Sequence, residues 1–91
     1  MFLHLGQSTV IRTDDIVGVF DIDNTTVSKH TRKYLSTATK NGRIINVSLE
    51  LPKSFIVCRD KNGEETVYIS QISPATLLKR FSSNSDGGYK F

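Results

Sequence analysis

The chain has 91 residues, of which 37% are hydrophobic and 23% charged, with one cysteine, two histidines and a formal net charge of +3. That size fits one small domain whose core is too modest to support an elaborate active site easily, and for which self-association is a natural source of extra burial. A lone cysteine excludes an intramolecular disulfide, and no segment approaches the roughly 20 apolar residues that span a membrane.

Residues 2–5 and 9–12 are short β-type runs around Gly6-Gln7-Ser8 and predict a hairpin forming the first half of a sheet. Residues 15–22 follow as an apolar run rich in β-branched side chains. Both of its alternating sets are apolar, which predicts a central strand covered on two faces.

A helix is expected over residues 26–40, with an N-cap among Asn24, Thr25 and Thr26 and a stop at Asn41-Gly42. From Asp23 to Glu50 the chain has no intervening acidic residue, yet it carries Lys29, Arg32, Lys33, Lys40 and Arg43. At 100° per residue, Lys29, Arg32, Lys33, Ser36 and Lys40 fall within roughly 60° of one direction, while Val27, Thr31, Tyr34, Leu35 and Ala38 gather opposite. One face should pack on the sheet and the other should present cations to a polyanion such as nucleic acid. An ordinary solvated helix face would share the same pattern.

Beyond the helix, Ile45, Val47, Leu49 and Leu51 alternate with polar residues until Pro52, a strand pattern. Residues 54–59 and 66–69 are apolar runs flanking Asn62-Gly63, whose tolerance of positive φ predicts an antiparallel hairpin. Ser73 as N-cap and Pro74 at the first helical position open a short helix packing through Leu77, Leu78 and Phe81. The sum is an α+β domain over residues 1–81, with a small, mostly antiparallel sheet, one basic amphipathic helix across it and a short C-terminal helix. Residues 82–91 read as a polar, flexible tail.

Little in the chain points to catalysis. Asp21-Ile22-Asp23-Asn24-Thr25 at a strand end resembles the first motif of haloacid dehalogenase-type phosphatases, which would make Asp21 the nucleophile. That family also needs a Lys or Arg at a later strand end, a further acidic pair and a doubly wound sheet longer than this whole chain, and no Asp pair follows Asp23. Strand-ending and helix-capping roles explain the same residues. His4 and His30 lack partners at metal-ligand spacing, and no glycine-rich phosphate loop occurs, so no metal, cofactor or small-molecule substrate is expected. Cys58, inside an apolar run, reads as a buried structural thiol. The N-terminus Met-Phe-Leu-His-Leu-Gly has no basic lead-in to a long apolar stretch, and the expected location is cytoplasmic, without membrane attachment.

Four segments, "FLHLG", "DIVGVFDIDNTTVSKHTRKYL", "LPKSFIV" and "VYISQISPATLLKR", occur in order across most of residues 2–81. Through them the chain resembles the bacterial extracellular matrix regulatory protein family, RemA and RemB, more closely its RemB branch. The resemblance implies a small α+β subunit assembling into ring-shaped homo-oligomers and regulating transcription of biofilm-matrix genes. It also implies double-stranded DNA held along a basic rim through its phosphates. The chain departs from the RemA pattern at two arginine positions, having Asp14-Asp15 at one and Leu49-Glu50-Leu51-Pro52-Lys53 at the other. The expected DNA contacts are therefore Lys29, Arg32, Lys33, Lys40, Arg43 and Lys53. A second reading makes the protein a non-enzymatic interaction or scaffolding oligomer that does not bind DNA, with Asp14, Asp15, Asp21 and Asp23 of one subunit meeting the basic face of the next.

Overall fold

The computed structural model describes residues 1–22 and 29–89, with side chains to residue 82. The expected N-cap at Asn24, Thr25 or Thr26, and Asp23 and Val27, lie outside the described residues. The architecture is α+β. Strands β1 (Phe2–Gly6) and β2 (Thr9–Arg12) form an antiparallel hairpin, followed by one 3-10 turn at Thr13–Asp15. Strands β3 (Ile16–Asp21), β4 (Ile44–Asn46), β5 (Ser54–Arg59) and β6 (Glu65–Ser70) build a second sheet in the order β3-β5-β6-β4. Its β3–β5 and β5–β6 pairs are antiparallel and β4–β6 is parallel. Helix α1 (Lys29–Lys40) covers one face of this sheet, and the hairpin with helix α2 (Pro74–Tyr89) covers the other.

Strand β5 is the spine of the molecule. Because strand side chains alternate between faces, Phe55 and Val57 join Ala38 and Val67 under α1, with Tyr34 and Leu35 at the margin. Ile56 and Cys58 point the other way into a cluster with Leu3, Leu5, Ile11, Val47 and Leu77. Two buried serines fasten that second layer. Ser70 Oγ donates to the Leu5 carbonyl at 2.8 Å and accepts from Ile72 N, and Ser54 Oγ donates to the Ile72 carbonyl at 2.8 Å.

Several local signals act as expected. After Lys40 the chain closes a Schellman turn, in which Arg43 N bonds the Ala38 carbonyl, Gly42 N bonds the Thr39 carbonyl, and Gly42 takes φ +69°. In the β5–β6 turn Gly63 takes φ +83°, and Asp60 Oδ1 accepts from Asn62 N and Glu64 N. Ser73 Oγ accepts from Thr76 N at the start of α2. The helical backbone of α2 then continues beyond Phe81 to Tyr89.

Three expectations are corrected. The hairpin does not belong to the main sheet but forms its own two-stranded sheet packed on it. β3 is an edge strand, paired only with β5 among the described residues; its apolar residues do face both ways, but neither helix layer extends fully over it. A bulge between Ile16 and Gly18 adds Val17 as an extra residue and turns it to solvent, 57% exposed. The alternating run from Ile45 to Leu51 is a strand only to Asn46. β6 ends at Ser70, so after Val47 N bonds the Ile69 carbonyl the chain has no further ladder partner and crosses the sheet end as a loop.

A candidate nucleic-acid interface

Helix α1 has no Asp or Glu in its described length, and its residues sort by face as 3.6-residue periodicity requires. Ala38 is fully buried, Tyr34 and Leu35 are half-buried against β5 and β6, and Lys29, Arg32, Lys33, Ser36 and Lys40 are exposed. None of these four cations forms an ion pair among the described residues. From Lys29 to Lys40 the row spans about 17 Å at 1.5 Å per residue.

Arg43 stands apart from that row. Its Nη1 lies 2.7 Å from Glu65 Oε1 and its guanidinium is 6.0 Å from the Tyr34 ring centroid. Glu65 also accepts from the Tyr34 hydroxyl at 3.1 Å and pairs with Arg59 at 3.3 Å. Partial burial by itself pushes the Glu65 carboxyl up, but the donors Tyr34, Arg43 and Arg59 and the Arg43 charge outweigh it and hold the group below its ordinary range. Burial, then the hydrogen bond to and charge of Glu65, raise the Tyr34 phenol. This cluster ties the end of α1 to β5 and β6, and it gives Arg43 an internal partner that the other cations lack. The Arg59–Glu65 part is legible in the sequence, since the two flank the Asn62-Gly63 turn and face each other in the ladder. Nothing local to the sequence signals that Tyr34 and Arg43 join them.

Lys53 is exposed at the opposite end of β5 from Glu65, where Lys53 N bonds the Ser70 carbonyl and the Lys53 carbonyl accepts from Ile22 N. Of the expected acidic residues, the described ones, Asp14, Asp15 and Asp21, lie at the two ends of β3. Asp14 is exposed and 3.5 Å from Arg12. Asp15 ends the 3-10 turn just before β3, near Cys58, whose thiol is pushed up to about 11 by burial first and by the Asp15 charge second. Asp21 closes β3 opposite Ser54, at the far end of a strand that begins one residue after Asp15. Asp23 is outside the described residues. Among the described residues no helix is long and apolar enough to cross a membrane, and no group of three or more His, Cys, Asp or Glu side chains converges as a metal site.

Comparison with known proteins places the chain. Residues 2–81 match the RemA-like family, described as extracellular matrix regulatory protein A-like. Over 80 residues the chain is 31% identical to extracellular matrix regulatory protein B of Bacillus subtilis (strain 168), covering 88% of this chain and 89% of that protein. Both names describe regulatory proteins rather than enzymes. With its α+β fold and a match spanning nearly all of its described length, the chain belongs to the RemA-like family of extracellular matrix regulatory proteins.

Proposed function

We propose that this protein is a cytoplasmic, homo-oligomeric regulator of extracellular matrix genes that binds double-stranded DNA through the exposed face of α1. The observation that carries this reading is the row of Lys29, Arg32, Lys33 and Lys40, four exposed cations on one helix face that form no ion pair among the described residues. Such a row suits the phosphate backbone, which supplies affinity and register without reading sequence. Lys53 can add a contact from the sheet end. Arg43 contributes less, because its charge is already shared with Glu65. Repetition of the row around an oligomer would multiply the electrostatic attraction.

The test is duplex binding by the Lys29→Ala/Arg32→Ala/Lys33→Ala variant, followed by fluorescence anisotropy. Affinity should fall roughly tenfold or more for every duplex alike, and the slope of log affinity against log salt should shrink by about 0.9 for each lost contact. Unchanged binding would overturn the assignment. The alternative, a scaffolding oligomer that does not bind DNA, draws on the apolar side chains of Leu49, Leu51 and Leu78 left in water. It predicts no binding by the native protein even at low salt.

A further inference from the structure

The cationic row of α1 holds one hydroxyl at its centre. Ser36 is exposed, with Arg32 four residues and Lys33 three residues before it and Lys40 four residues after it. Residues at these spacings share a helix face, with Cβ atoms about 5–6 Å apart. Three long, flexible cationic side chains can therefore reach one Oγ. The threonines of α1 are placed differently. Thr31 is half-buried, and Thr39 Oγ1 already donates to the Leu35 carbonyl at 2.8 Å. Thr37 has Lys33 and Lys40 at the right spacing but not Arg32, and it lies roughly 100° round the axis from Ser36.

We propose that Ser36 is a phosphorylation site, and that its phosphate takes Arg32, Lys33 and Lys40 as partners and so releases the α1 face from duplex DNA. This rests on the proposed DNA binding through that face and adds its regulation. In the modifying step Ser36 Oγ forms a bond to the γ-phosphorus of a nucleoside triphosphate as the bond from that phosphorus to its bridging oxygen breaks. The nucleoside diphosphate leaves and the hydroxyl proton is released. The enzyme that fits is a serine kinase selecting basic residues ahead of its target, here Arg32 and Lys33. Access is by local opening of α1, in which Ala38 is the one fully buried residue, so that unwinding a turn exposes little core. The phosphate brings a charge of about −1.5 to −2 at pH 7. It enters a row of four cations on a helix without Asp or Glu in its described length, and cancels about half of that charge. Held on the same helix, it also competes with duplex phosphates at high effective concentration.

The test treats the full chain with a serine kinase of that preference and ATP, maps the phosphate by mass spectrometry, and measures duplex binding by anisotropy before and after. The phosphate should map to Ser36. The phosphorylated chain should bind every duplex roughly tenfold or more weakly, with a salt slope shallower by about 1.8, two contacts at 0.9 each. Ser36→Ala should bind like the native chain before and after the same treatment. Phosphorus-31 resonance gives a readout without DNA, since neighbouring cations should lower the second ionisation of the phosphate below its ordinary value of about 6. Arg32→Ala/Lys33→Ala in a chain carrying phosphoserine at position 36 should return it toward that value. No phosphate at Ser36, an ordinary ionisation there, or a phosphorylated chain that binds duplex as tightly as the native one would each overturn the proposal. A native chain that binds no duplex even at low salt overturns the DNA reading and the switch together, and the phosphorus titration alone then decides whether the row holds a phosphate at Ser36.

Discussion

Glu65 takes donors from three separate parts of the chain: Tyr34 on α1, Arg43 in the turn that ends α1, and Arg59 across the hairpin. Its geometry is better than that of a typical exposed pair, because Arg43 and Glu65 are both largely shielded from solvent. Glu65→Gln should cost about 1 kcal/mol in urea unfolding, the scale of a partly shielded charge-assisted hydrogen bond. The native carboxyl titrates below its ordinary value, so its stabilisation is fully present above the unfolded carboxylate pKa of about 4.3 and fades as pH falls through the lower folded value. The Gln variant should lack that part of the acid-side loss, which unfolding midpoints at neutral and acid pH will show. Gly18 has a comparable local constraint, since a Cβ there would lie 2.7 Å from the Phe20 ring, which stacks on Phe55 with centroids 4.9 Å apart.

At the scale of elements, the helix stop, the Asn62-Gly63 turn and the Ser73-Pro74 start were legible because each depends on residues adjacent in sequence. The order of strands was not. Residues 15–22 read as apolar on two faces and residues 54–59 as an apolar run, yet β5 lies between two partners and β3 lies at the edge. Hydrophobic pattern reports burial of side chains and is silent on how many ladder partners a strand has. The attachment of the hairpin was equally hidden, since it depends on Ser70 meeting Leu5 across 65 residues. Ser70→Ala removes the donor to the Leu5 carbonyl and the acceptor for Ile72 N in a buried setting, and should cost about 1–3 kcal/mol. Hydrogen exchange should show β1 and β2 losing protection before β5 does, because the main sheet keeps its own ladder.

For the whole molecule, the relevant quantity is how charge is spread over the surface. Arg12, Arg43 and Arg59 have carboxylate partners, whereas the α1 row has none among the described residues. If all four cations of a subunit engage duplex phosphates, log affinity should fall with log salt with a slope of about −3.6 per bound subunit, at 0.9 per phosphate. A titration of salt at fixed duplex length measures this directly, and a slope near zero would assign the row to another partner. The amphipathic helix, its cationic face, the turns and the family likeness were determined by the sequence alone, because periodicity, backbone preference and residue identity act over a few positions. Only the tertiary structure decided that Arg43 is engaged by Glu65, that β3 is an edge strand among the described residues, and that Leu49 and Leu51 stand in water. Each of these depends on which distant segments share a sheet, and that is set by packing of the whole chain.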